Sequence, residues 1–237
     1  YLQTYLERDV RAVLAIRDLS TFRRFLAILA SRAGQTLNRT DLAVPLGVSV
    51  PTVSHWIGVL ETTMQILLVP PYFENFGKRL VKSPKLHFMD AGLLCHLLGV
   101  DSERALDRSP FAGPVHEGFV ASEIVKAQLN AGRRKDLYHF RDRPGLEVDF
   151  VVPAGDRRVL LIEAKASRTV RPEASAPLRR LAASMRRYEA RGVVVHRPAH
   201  GPVPTAVLAP GVRTAVPADI PALLRWDAPR GSPRGAG

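Results

Sequence analysis

The chain has 237 residues, a length that favours two modest domains, and its 46% apolar content is ordinary for a globular protein, with no run near the ~20 apolar residues that a membrane span needs. A single cysteine, Cys95, excludes an internal disulfide and a cysteine-based zinc cluster and fits a reducing, cytoplasmic setting. The net charge of +12 points to a polyanionic partner such as DNA, and it is unevenly spread: residues 1–100 carry +4, 101–164 carry −1 and 165–237 carry +9.

The sequence opens at Tyr1 inside a helical pattern and without a methionine, from which an upstream module is expected. Residues 1–33 predict two amphipathic helices. Leu6, Val10, Val13 and Leu14 line the first; Phe22, Phe25, Leu26 and Leu29 line the second, which Asp18 or Ser20 can start. In RTDLAVPLGVSVPTVSHWIGVLE, Thr40 or Asp41 can cap a short helix, Gly47 permits a sharp turn, and Ser49 can cap a helix beginning at Pro51. This is a helix-turn-helix pattern. On its second helix Ser49, Thr52 and His55, with Ser54 and Trp56, are placed to face a nucleic-acid groove while Val53, Ile57 and Leu60 pack inward. That helix has no Arg or Lys, the usual bidentate base readers, so a packing or subunit-interface role stays open beside a DNA-reading one.

QILLVPPYF and KLHFM follow as β-prone runs, joined by ENFGKRLVKSP, whose Lys78, Arg79 and Lys82, with the adjoining Lys85, predict a basic loop suited to phosphates. Helices followed by such a hairpin predict a helical, winged-helix domain over residues 1–100. DAGLLCHLLGV reads as its last helix, closed by Gly99, and the polar segment 101–114 as a linker.

The second half, 115–215, opens with the helix VHEGFVASEIVKAQLN. DLYHFRD, EVDFVVP and RRVLLIEAK then predict three short strands, PLRRLAASMRRYEA a helix whose exposed side carries Arg179 and Arg186, and RGVVVHRP a buried strand. That order specifies an α/β domain with a central mixed sheet. Residues 216–237 read as a C-terminal helix and a disordered tail rich in Pro and Gly.

Charge inside two apolar strands is the feature to explain. Strand alternation puts Glu147 and Asp149 on one face, and Glu163 and Lys165 on another common face, while Leu160, Ile162 and Ala164 anchor the opposite side in the core. Paired as a hairpin, the strands bring Asp149 and Glu163 close together, and two such carboxylates repel unless a proton or cation lies between them. Magnesium, or manganese, is an economical solution, with hard oxygen ligands and retained waters. A strand-to-strand ion pair on an exposed sheet face is the plainer alternative.

Asp149 followed after thirteen residues by Glu163-Ala164-Lys165 resembles the D…ExK signature of the PD-(D/E)xK nuclease superfamily, the restriction-endonuclease-like fold. The resemblance implies magnesium held by Asp149 and Glu163 with the Ala164 carbonyl, and an attacking water assisted by Lys165. It also implies a further glutamate from the preceding helix, where Glu117 is favoured over Glu123. These two stand six residues and about 120° apart around a helix, so both do not point into one site. Val148 replaces the eponymous proline. Over nearly all of residues 1–215 the chain also resembles the C-terminal region of prokaryotic AAA-type ATPases, the domain-of-unknown-function 4143 family, on YLQTYLERDV, GVSVPTVSHWIGVLE, LLVPPYFENFGKRLVKSPKLHFMDAGLLCHLLGV and EVDFVV…LIEAKASR. That resemblance implies an upstream P-loop ATPase as partner, although no GxxxxGK[ST] occurs here. The expected function is therefore a magnesium-dependent deoxyribonuclease, or nuclease-like effector, under ATPase control. A non-catalytic DNA-binding or regulatory module, or a protein-interaction or homo-oligomerisation module of the ATPase, is the alternative.

Overall fold

The computed structural model describes residues 18–72, 82–198 and 206–226. The helix expected before Asp18, the loop residues Lys78 and Arg79, and the tail 227–237 lie outside them.

Three helices open the described chain. Asp18 caps α1, Leu19–Ser31, by accepting from the backbone of Ser20 and Thr21. The short α2, Arg39–Ala43, is capped by Asn38, not by Thr40 or Asp41, because the Asn38 side chain reaches both of their backbone N–H groups. Gly47 then turns the chain at φ 66°, and Ser49 caps α3, Val50–Thr62. Phe22 and Phe25 pack against Trp56 with ring centroids 5.3 and 5.1 Å away. Trp56 is thereby buried and unavailable to a groove, contrary to its expected position.

An antiparallel hairpin follows, β1 (Ile66–Val69) with β2 (Lys85–Phe88). Its alternation serves two cores. Ile66, Leu86 and Phe88 close the helical cluster, whereas Leu67 and Val69 join the core of the second half. Lys85 and His87 stand opposite Val69 and Leu67, so they share that second face. Residues 34–37 pin β2 from outside, with Gly34 N–H donating to the Leu86 carbonyl and Leu37 N–H to that of Pro84.

After α4, Ala91–Leu97, the expected linker 101–114 instead holds α5, Glu103–Arg108, and the start of α6, Ala112–Asn130. Ion pairs fasten α5 to the second half: Glu103 accepts from Arg168 and Arg197, and Asp107 from Arg197. Polar composition misled here because those acidic groups have distant partners.

The second half is a six-stranded mixed sheet in the order β3 (Tyr138–Arg141), β4 (Glu147–Pro153), β5 (Arg158–Lys165), β6 (Glu189–His196), β8 (Val212–Ala215), β7 (Val207–Ala209). β5, β6 and β8 run parallel, and the other pairings are antiparallel. α6 covers one face through Val120, Ala121, Ile124 and Val125; α7, Ala176–Ser184, covers the other through Leu178 and Leu181. The last helix, α8 (Ile220–Leu223), packs its Ile220 and Leu223 beside α6. The sequence reading missed β7 and β8, which are only three and four residues long, too short for an alternation to show. Among the described residues no single helix is long and apolar enough to cross a membrane.

Candidate functional site

Where the hairpin meets the sheet, four elements deliver charge to one place. The chain after β1 continues along β3, with Tyr72 N–H donating to the His139 carbonyl and His139 N–H to that of Pro70. The sheet is thus extended by the hairpin, and Lys85 at the start of β2 lies beside the charged end of β4. α6 approaches the same strand closely at Gly118, where a Cβ would come within 3.3 Å of the Phe88 carbonyl oxygen. Glycine permits that approach, and it sets the neighbouring Glu117 against Lys85.

On β4 a register shift interrupts the alternation, so that Asp149 and Phe150 together stand opposite His139 of β3. Val148 and Val151 consequently pack on the α7 side, and Phe150 and Val152 on the α6 side. The ladder to β5 runs from Pro153↔Val159 to Phe150↔Ile162. Beyond it, Asp149 Oδ2 accepts from the Ala164 N–H at 2.9 Å, which fixes the carboxylate against β5.

Lys85 lies at the centre, only 3% exposed. Its ammonium reaches Glu147 Oε1 at 2.6 Å, Glu117 Oε1 at 3.0 Å and Asp149 Oδ1 at 3.4 Å. Three donors therefore meet three carboxylates. Burial by itself pushes the Lys85 pKa down, but Glu117, Asp149 and Glu147 outweigh it and hold the ammonium above its ordinary range. The expectation that Lys85 belongs to an exposed phosphate-binding loop is thus corrected: it is the first residue of a buried strand and is saturated by carboxylates.

Glu163 and Lys165 complete the cluster from β5, with Lys165 Nζ 2.7 Å from Glu163 Oε1. Glu163 is buried and its Oε2 has no hydrogen-bond partner, whereas the Lys165 side chain stays 40% exposed. Burial raises the carboxyl pKa of Asp149, with Glu117 adding to it, and burial followed by Asp149 raises that of Glu163. Glu117 is raised too, by burial, against the pull of Lys85. Glu147, on the outer side, ends lowered: burial is outweighed by Lys85, with Arg141 also contributing at 3.6 Å. Four carboxyl groups thus meet three cations, Lys85, Lys165 and Arg141, so full ionisation would leave one negative charge in excess.

Two histidines border the cluster. His87 is fully buried with neither ring nitrogen hydrogen-bonded, 3.8 Å from Glu117 Oε1, and burial followed by Lys85 and His139 lowers its pKa to about 3. His139 donates from Nε2 to the Ser83 carbonyl at 3.2 Å, and burial lowers its pKa to about 4. Both are therefore neutral rings near pH 7. His116 packs inward with Nε2 3.3 Å from the Val195 carbonyl oxygen.

The structure brings Glu117, Asp149, Glu163 and Lys165 together with the Ala164 backbone. Glu123 instead pairs with Lys126 along α6. Sequence reading missed Lys85 as a member, along with His87 and His139. The available signal was KLHF itself, in which Lys85 and His87 alternate with two core residues and so share a face. Among the described residues no three His, Cys, Asp or Glu side chains are spaced to hold a metal ion as they stand. The donor set nevertheless fits a hard divalent cation on the β5 side: carboxylate oxygens, an unpartnered buried Glu163 Oε2, and two carboxyl groups that resist joint ionisation. On the β2 side the same role is filled by an ammonium.

The proposed nucleic-acid contacts are dispersed. Ser49, His55, Lys82, Arg179 and Arg186 are exposed and Thr52 is half-buried, its hydroxyl 2.8 Å from that of Ser49. A shallow groove of about 360 Å³ runs along α3, lined by Ser54, His55, Gly58, Val59, Thr62 and Thr63, with no cation among them.

Comparison with known proteins divides the chain in two. Residues 1–104 match the family model of a domain of unknown function, DUF8612, and residues 112–205 match that of another, DUF4143. The second match is the family that the sequence resembles, but it covers the α/β half and not the helical half. An uncharacterized protein of Mycobacterium tuberculosis and one of Mycobacterium bovis are each 37% identical to this chain over 158 residues, covering 66% of it. The chain spans only 35% of either relative's length. No solved structure matches.

Proposed function

We propose that the α/β half is a restriction-endonuclease-like domain that hydrolyses DNA phosphodiesters with magnesium or manganese, and that the helices and hairpin before it form a winged-helix domain. The observation that carries this reading is the convergence of Glu117, Asp149, Glu163 and Lys165 from α6, β4 and β5, with the carboxylates buried and raised in pKa. Perturbed carboxyl groups gathered beside a half-exposed lysine support a site for metal-assisted hydrolysis. Glu117, Asp149 and Glu163 would hold the metal, with the Ala164 backbone alongside; the metal would supply Lewis acidity toward a phosphate.

The chain's own groups account for the rest. The Ala164 N–H orients Asp149, leaving Oδ1 directed into the cluster. Lys165, anchored by Glu163, keeps its ammonium at the solvent boundary, where it can meet the charge that develops on a phosphoryl oxygen. Arg179, Arg186 and Lys82 supply exposed positive charge for a DNA backbone. An ATPase module elsewhere in a longer protein is the proposed controller, consistent with relatives about three times the length of the match.

Incubation with linear, nicked and branched DNA plus Mg²⁺ or Mn²⁺ tests this. Metal-dependent cleavage that disappears in Glu163→Ala and in Lys165→Ala is the expected result; cleavage surviving both rules the assignment out. One observation favours a second reading: Lys85 already neutralises Glu117 and Asp149. A non-catalytic DNA-binding module predicts salt-sensitive binding with no cleavage in wild type or in Lys85→Met.

A further inference from the structure

The cation at the heart of the cluster comes from the other half of the chain. Lys85 sits on a hairpin whose opposite face, Ile66, Leu86 and Phe88, belongs to the helical core. Its ammonium contacts Glu117 Oε1 and Asp149 Oδ1, oxygens of two side chains that the nuclease reading assigns to the metal. A buried ammonium and a divalent ion sharing those oxygens would stand a few ångströms apart, where repulsion is severe at low dielectric. Glu147, which offers Lys85 its shortest contact, also holds it toward β4. The lysine is thus fully coordinated without metal.

We propose that Lys85 is a built-in counter-cation that competes with divalent metal for Glu117 and Asp149, so that docking of the β1–β2 hairpin and metal loading oppose each other. This rests on the reading of Glu117, Asp149 and Glu163 as metal holders. Because the two events share ligands, their coupling is reciprocal. Whatever draws the hairpin away from α6 favours metal, and metal loosens the hairpin. A movement of the helical half is thereby converted into metal occupancy of the α/β half. The neutral, unpartnered His87 ring between Phe150 and Glu117 adds no second cation to replace Lys85.

The test measures Mn²⁺ binding to the full chain by calorimetry at neutral pH, in wild type, Lys85→Met, Lys85→Arg and Lys85→Met/Asp149→Asn. The expected result is Mn²⁺ affinity at least tenfold higher in Lys85→Met than in wild type, with Lys85→Arg near wild type and the double variant losing the gain. Equal affinity in wild type and Lys85→Met overturns the competition while leaving the metal site standing. Absence of Mn²⁺ binding in every variant overturns the metal reading itself, and the competition with it. Should Lys85→Met fail to fold, amide exchange of wild type decides: saturating Mn²⁺ is expected to speed exchange across residues 66–69 and 85–88, and unchanged or slower exchange there refutes the proposal.

Discussion

Beneath α1–α3, Phe22, Phe25 and Trp56 meet ring against ring in an apolar cluster, while across the β1–β2 hairpin Lys85, Glu117 and Asp149 are buried among charges. The same two strands line both regions, since alternate residues of one hairpin face opposite ways. Removing a side chain from the first region leaves a hole. Removing one from the second leaves an unbalanced charge, and the cost then depends on pH and on available cations. Burial alone therefore does not reveal what a residue contributes.

The sharpest contrast is Lys85→Ala, which strands three carboxylates and is expected to lower stability by about 3–5 kcal/mol, read by urea denaturation. A loss under about 1 kcal/mol would mean that the cluster is solvated and not a buried ion network. In the apolar region Leu60→Ala should cost about 2–5 kcal/mol, with no dependence on Mn²⁺ or pH. Acid separates the regions further. An unfolded histidine takes a proton near 6.5, but His87 resists until about 3, so between those values the unfolded chain binds more protons and stability falls as pH drops. Glu117, Asp149 and Glu163 act with the opposite sign, because their raised pKa values favour the protonated fold. Comparing wild type with His87→Phe removes their shared contribution: from pH 6.5 to about 4.5, wild type should lose up to about 1.4 kcal/mol per pH unit relative to the variant. A pH-independent difference would place a proton or solvent on His87.

Smaller effects probe geometry and surface. Gly118→Ala must push α6 and β2 apart by a few tenths of an ångström, and about 1–2 kcal/mol of destabilisation is expected, together with faster amide exchange in β2. Arg179→Ala and Arg186→Ala should stay within about 0.5 kcal/mol of wild-type stability, yet each should flatten the salt dependence of DNA binding by roughly one unit of slope. Arg186 lies in the turn after α7, which ends at Ser184 and not near Ala190 as the sequence predicts, so no change in slope would remove α7 and that turn from the proposed DNA surface.

Much of the fold was legible because its signals are local. Ser49 and Gly47 act through their own backbone, the predicted apolar stripe of Phe119, Val120, Ile124 and Ala127 follows helical period, although Phe119 is exposed, and the runs around Phe150 and Ile162 could hardly be anything but buried strands. Even the meeting of Asp149 with β5 follows from hairpin pairing and alternation. Failures came where the partner is far along the chain. Lys85 looks like the edge of a basic loop because its carboxylates lie 32, 62 and 64 residues away, at Glu117, Glu147 and Asp149. The 101–114 segment looks like a linker because Arg168 and Arg197, which hold α5, are equally remote. Trp56 was misplaced for a related reason: a helix face is exposed or covered according to what packs on it.

By itself, then, the sequence determined α1 to α4, the mixed α/β character of the second half, and the pair of strands that carry Asp149, Glu163 and Lys165. These rest on period, capping and turn chemistry, which act over a few residues. Only the tertiary structure decided which cation those carboxylates meet. Coulomb interaction depends on distance in space, and it was the close approach of α6 at Gly118 and the extension of the sheet through Pro70–Tyr72 that set a lysine from one half of the chain among the acids of the other.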